Sequence, residues 1–355
     1  MAARILFLYA RLNGFVLSTA RALARHRDVA SVDIVHWDQA ADIGNGYVPE
    51  LGGRALTLHR RSSLDARALD RLFADVRPDI IYVSGWMDRL YLSRLLAYRR
   101  REARGVSVCG FDDQWLGTPR QVLASMALGA VIPKIFDIAW VSGAPQYHYA
   151  RRLGFRHQRI IYNLLSADPE TCSVAETLEH RFLFVGRLDR VKGLHALVEA
   201  HRGLTSSNGP SWPLTVIGDG PLRDELVSQA GPNVEFVPYL QPRELADQLG
   251  RGGVGVLPSV FESWGVSLHE MALSGLPLIA SSRVGSASEF LIDGYNGRVV
   301  RSGDVTDLRA AMAQVADLSD GERSEMGRAS RRLGERINPE MAAASFLAAR
   351  RQAQL

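Results

Sequence analysis

Residues 182–204 read FLFVGRLDRVKGLHALVEAHRGL. The run FLFV is apolar at every position. It lacks the alternation of a half-exposed strand, which fits a parallel strand covered on both faces. A glycine and a short charged loop follow, then GLHALVEAHRGL with its apolar residues at helical spacing. Strand, loop and helix in this order make one βα unit, and the unit recurs. LTVIG, VEFVP, VGVLP, LPLIA and GRVVR continue the series in the second half. RILFLY, VDIVHW, DIIYVS, VSVCGF, DIAWVS and RIIYNL form another in the first, with amphipathic segments such as SLDARALDRLFADV between strands. The pattern predicts an α/β fold of two Rossmann-like, doubly wound domains facing across a cleft. The polar, weakly periodic stretch at 163–180, NLLSADPETCSVAETLEH, marks the boundary, giving domains 1–165 and 166–337. A last helix over about 338–355, containing PEMAAASFLAARRQ, is expected to pack back on the first domain.

The bulk composition suits this reading. A chain of 355 residues is long for one core and comfortable for two. Its N-terminal apolar run is too short for a signal-peptide core, and no uncharged stretch approaches the roughly 20 residues of a membrane span. The two cysteines, Cys109 and Cys172, fit a reducing compartment. A cytoplasmic protein is expected, with peripheral attachment to the inner face of the membrane as an option. Residues 1–165 hold 23 Lys and Arg against 14 Asp and Glu, a balance of +9; the rest, 19 against 24, comes to −5. The basic half would suit an anionic membrane surface or an anionic acceptor, or be simply a solvated arginine-rich surface. No nucleic acid is expected as a partner.

Ligands of such folds sit in the loops at the carboxyl ends of the strands. In the first of these, Arg187 leaves the strand and Lys192 opens the helix; together they would neutralise a diphosphate without a metal, or else face solvent. Only two of the 42 basic residues are lysine, and one stands here. The loop GDGP (218–221) lacks the third glycine of a dinucleotide fingerprint, so it reads as a tight turn into a helix. In FESWGVSLHE (261–270) Glu262 precedes a helix opened by Gly265, and Glu270 lies within it. A helix start attracts phosphate. The two glutamates read as a hydrolytic pair, as acceptors for sugar and ribose hydroxyls, or as surface charge. In helix, eight residues rise roughly 12 Å, more than the carboxylate spacing of glycosidases.

The order GR–x4–KG, GDGP, PS–x2–E–x7–E, SGLPLIAS (274–281) and G–x3–E–x4–G–x–NG (285–297) resembles glycosyltransferase family 4. The likeness is close over about 180–310 and looser before it, at PDIIYVSG (78–85) and NLLSAD (163–168). It implies a GT-B fold and a retaining, metal-independent hexosyltransferase that uses a nucleotide diphosphate sugar, UDP- or GDP-linked, and no other cofactor. It implies catalytic roles for Arg187, Lys192 and Glu262. It implies donor contacts at Gly14, Gly186, Tyr239, Leu240, Trp264, Gly265, Val266, Ser267 and Glu270. The acceptor would be a glycan or lipid-linked hydroxyl in bacterial surface polysaccharide or glycolipid synthesis. The chain departs from the family pattern where a His-Asp pair is usual: here CGFDDQW (109–115) stands instead. Asp112, Asp113, Trp115 and Arg120 read as acceptor contacts, or as a capped helix start with Trp115 in the core. The following VLASMALGAVIP (122–133) reads as a buried helix, with a membrane-surface patch as the alternative. A non-catalytic nucleotide-sugar sensor or partner subunit is the rival to an enzyme.

Overall fold

The computed structural model describes residues 2–10, 12–37, 55–102, 104–206 and 212–354. They divide into two compact units. One takes in the residues up to Ser166 and those from Pro339 onward; the other is Ala167–Asn338.

In the first unit the strands are β1 (Ala3–Tyr9), β2 (Val29–His36), β3 (Leu56–Arg60), β4 (Ile80–Val83), β5 (Val106–Phe111), β6 (Ile138–Val141) and β7 (Ile160–Ile161). They form one sheet in the order β3-β2-β1-β4-β5-β6-β7, parallel throughout. The second unit has β8 (Phe182–Val185), β9 (Leu214–Ile217), β10 (Val234–Val237), β11 (Val254–Leu257), β12 (Leu278–Ser281) and β13 (Gly297–Val300). Their order is β10-β9-β8-β11-β12-β13, again all parallel. The doubly wound α/β architecture read from the strand pattern is the one observed. Central strands β4, β6, β8, β9, β11 and β12 are buried at every residue, as strands covered on both faces must be. One strand escaped the reading: β3 is a half-exposed edge strand, LTLHR, with too few apolar residues to stand out.

The chain closes the first unit with its last helix, Pro339–Gln352. Phe346 on that helix is wholly buried. Its ring stacks on Phe7 of β1 at 5.2 Å and lies 4.7 Å from Trp140 of β6. Tyr82 of β4 joins the cluster, 4.8 Å from Phe7. Burying a phenylalanine of this kind contributes about 2–3 kcal/mol, so the helix is held mainly by its apolar face; the exposed Arg25–Glu340 pair at 3.1 Å adds little.

Candidate active site

In the second unit the loops after β8, β9, β10 and β11 converge, and glycines make the convergence possible. Gly193 ends the turn Arg190–Lys192 at φ +70°, and a Cβ there would stand 2.3 Å from the carbonyl oxygen of Pro258. Only a glycine lets this turn press against the end of β11. The contact is zipped by the backbone N–H of Val260, which donates to the carbonyl of Val191 at 2.7 Å. Gly218 and Gly220 pack the GDGP turn against Gly186 and Leu188 in the same way, with added Cβ atoms 2.0 and 2.4 Å from the carbonyl oxygens of those residues. The GDGP turn therefore buttresses the loop that carries Arg187.

The result is an ion pair between Lys192 and Glu262, residues far apart in sequence. Both side chains are about one-sixth exposed, and the hydroxyl of Ser259 also donates to Glu262, at 3.4 Å. Arg187, half exposed, lies 3.7 Å from Asp189 of its own loop. Gly265 sits at φ +95° as the N-cap of helix Val266–Leu273. A Cβ on it would meet Glu262 Cγ at 3.0 Å and Ser286 Oγ at 3.3 Å. The first N–H groups of this helix, those of Val266 and Ser267, have no carbonyl of their own helix to bond and carry partial positive charge. They follow directly on Gly265, which packs against Glu262.

Glu270 follows on the same helix, half-buried. Loss of hydration pushes its carboxyl from the ordinary 4.5 up to about 7. Burial raises the phenol of Tyr239, and the negative charge of Glu270 adds to the rise, which places the two groups within electrostatic reach. The backbone N–H of Tyr239 donates to Asp219 Oδ2 at 2.7 Å, and Asp219 Oδ1 accepts from Arg223 at 3.2 Å. Leu240 continues that segment. The indole of Trp264 is 2 % exposed and its Nε1–H finds no partner among the described residues, so its side chain is a core group.

The remaining candidates lie in the first unit. Gly14 is the first residue of helix Gly14–Arg25, capped by Asn13, which accepts from Val16 N–H at 3.2 Å. Asp112 and Asp113 follow β5. Their atoms reach solvent, yet protein crowds around them. Loss of hydration raises both carboxyls; Asp113 adds to the rise at Asp112, and Arg120 opposes it at Asp113. Neither acid caps a helix. The next helix, Pro119–Leu128, is capped by Thr118, which accepts from Gln121 N–H at 3.3 Å. Trp115 packs against the first unit's core, with the Arg152 guanidinium 4.4 Å over its ring and Tyr149 at 5.4 Å. Arg120 is exposed. Over most of 122–133 the expectation of burial is corrected: helix Pro119–Leu128 has no buried residue, and only Ile132 beyond it is buried.

Sequence reasoning passed over three supporting residues. Ser259 backs Glu262, and its position inside the PS–x2–E motif was the available signal. Asp219 holds the Tyr239 backbone. His269, fully buried, accepts from the Ala167 N–H at Nδ1, 2.9 Å away; at Nε2 it donates to the Gly334 carbonyl, also at 2.9 Å. Burial lowers its pKa to about 4, so it stays neutral and can do both. It ties the site helix to the points where the chain enters and leaves this unit.

Residues 174–333 match the family described as Glycosyl transferases group 1. Glycogen synthase of Mycobacterium tuberculosis is 36% identical over 140 residues, covering 38% of this chain and 33% of that protein. D-rhamnosyltransferase WbpZ of Pseudomonas aeruginosa is 34% identical over 185 residues, 48% of this chain and 46% of its own. The chain thus spans between a third and a half of the length of these relatives. Among solved structures, HepE of Anabaena in complex with UDP superposes over 97% of this chain and 98% of its own, with a TM-score of 0.75 at 14% identity. Residues 174–333 are thus similar to the glycosyl transferases group 1 family, and the two parallel sheets are those of a GT-B fold.

Proposed function

We propose that this chain is a retaining glycosyltransferase. It moves a hexose-type sugar from a nucleotide diphosphate donor, UDP- or GDP-linked, to a hydroxyl of a glycan or lipid-linked acceptor in bacterial surface polysaccharide or glycolipid synthesis. The observation that carries the reading is the meeting of Lys192 and Glu262 beside the start of helix Val266–Leu273. A cation, a carboxylate and free helix N–H groups at one point suit a ligand with a diphosphate next to a polyol. The matched rhamnosyltransferase and the UDP complex of HepE support the same donor chemistry.

In this mechanism the bond between the anomeric carbon and the diphosphate oxygen breaks as the acceptor oxygen bonds to the same face, and the acceptor's hydroxyl proton passes to the departing diphosphate oxygen. Negative charge grows on the departing diphosphate. Lys192, Arg187 and the helix start at Gly265–Ser267 take that charge, and because the fold fixes them beforehand they need little reorganisation. Glu262 accepts hydroxyls of the transferred sugar, and Glu270 those of the ribose. Asp219 positions the backbone at Tyr239 and Leu240 beside the base. Asp112, Asp113, Trp115 and Arg120 are assigned to the acceptor, and no step runs through a metal. The assignment of Gly14 to the diphosphate rests on the family resemblance alone. The protein would work on the cytoplasmic side.

The test is thermal unfolding against a panel of nucleotide sugars, followed by release of nucleoside diphosphate from donor plus acceptor in excess chelator. A ligand bound to the native state raises the midpoint by mass action. A rise with donors of one base and release of that diphosphate are expected. No rise with any donor, or release that stops in chelator, would refute the reading.

A further inference from the structure

The outward face of helix Pro119–Leu128 runs against the usual pattern. Its exposed side chains beyond Arg120 are Val122, Leu123, Met126 and Ala127, and the turn after it adds Val131. Leu123 is 67% exposed and Met126 76%, in a helix with no buried residue. A surface helix normally turns polar groups outward. From Gln121 to Pro133 the chain carries no charge at all. Charge resumes at both edges of this apolar strip, with Arg120 before it and Lys134 after it, both exposed.

The surroundings are cationic. Between Gln114 and Ala167 the sequence has six Lys or Arg and one carboxylate, Asp137, which is taken by Arg99 at 2.9 Å. The turn holding Arg151 and Arg156 packs on the end of the helix: a Cβ on Gly154 would stand 2.2 Å from the carbonyl oxygen of Gly129. Among the described residues, none of Arg120, Lys134, Arg151 and Arg156 has a carboxylate within ion-pair distance. An apolar strip bordered by cations that stand outside ion-pair distance of any carboxylate among the described residues matches one surface in particular. Its acyl region takes the Leu and Met side chains, and its anionic headgroups meet the Arg and Lys heads on their flexible stems.

We infer that the face built by Val122, Leu123, Met126 and Val131, bordered by Arg120 and Lys134, docks on an anionic lipid bilayer. This surface belongs to the first unit and makes no use of the donor groups; Arg120 is shared with the proposed acceptor contacts, and the test reads lipid binding rather than turnover, so the two readings can fail separately. The full chain would be sedimented with vesicles of phosphatidylcholine alone and of phosphatidylcholine mixed with phosphatidylglycerol, at low and raised salt. It should pellet with the mixed vesicles only, and salt should release it. Leu123→Asp with Met126→Asp should weaken partitioning by roughly tenfold or more, with circular dichroism and melting unchanged because both side chains are exposed. Arg120→Gln with Lys134→Gln should flatten the salt dependence. Failure to pellet with the mixed vesicles at low salt would overturn the inference, as would equal pelleting of the double Asp variant. Concentration-dependent dimerisation abolished by the same variant would also overturn it, and would give the face to a second copy of the chain.

Discussion

Glu270→Gln separates the two states of a buried acid and has a sign fixed by the structure. The folded carboxyl titrates at about 7 and the unfolded one at 4.5. Below 4.5 both states hold the proton and the side chain has no pH effect. As pH rises toward 7 the unfolded chain gives up its proton while the native one keeps it. The native state therefore loses stability by about 1.4 kcal/mol for each pH unit across that window, and the loss levels off above 7. The whole effect is about 3 kcal/mol for the shift observed. Glutamine keeps the shape and removes the titration. Urea unfolding of both proteins at pH 4.5 and pH 8 should find the variant more stable relative to wild type at pH 8 than at pH 4.5, by up to that amount. Any constant effect of the amide cancels between the two pH values. An equal difference at both would refute the reasoning, since no raised carboxyl would then exist at this position. In the proposed donor complex the effect runs the other way: ribose hydroxyls on Glu270 would favour the ionised carboxylate, so wild-type affinity should fall below pH 7 and the variant's should not.

The other predictions concern the groups around it. Lys192→Ala removes the cation proposed to face the diphosphate and breaks its ion pair with Glu262; kcat should fall by roughly 100- to 1000-fold, and Lys192→Arg should restore only part, because a planar guanidinium does not fill the place of an ammonium. Steady-state kinetics with saturating donor decide it. Gly265→Ala forces a side chain into a left-handed conformation with Glu262 Cγ 3.0 Å away. It should lower stability by about 1–2 kcal/mol and raise the donor KM, read by urea midpoints and initial rates.

The fold was legible because parallel strands buried on both faces are apolar throughout, and FLFV, LTVI and LPLIA announce themselves. Strand β3 was not, because an edge strand shares its residues with solvent. In the site, loop positions were readable but distances were not. Nothing in the sequence says that Lys192 touches Glu262; that contact depends on Gly193 fitting against Pro258. Asp219 and His269 escaped for a related reason: both act by hydrogen bonds to backbone groups distant in sequence. VLASMALGAVIP misled because composition records how apolar a helix is, and not which way its apolar residues turn.

The aromatic cluster around Phe346 bears on the order in which the chain acquires its structure. Phe7, Tyr82 and Trp140 leave the ribosome early, and the ring that completes their packing arrives only after the whole of Ala167–Asn338 has been made. Synthesis therefore delivers an uninterrupted second unit before the first can close. A nascent chain arrested short of residue 346 would hold an unfilled aromatic seam, a surface for chaperones to cover and a target for proteases until the final helix docks.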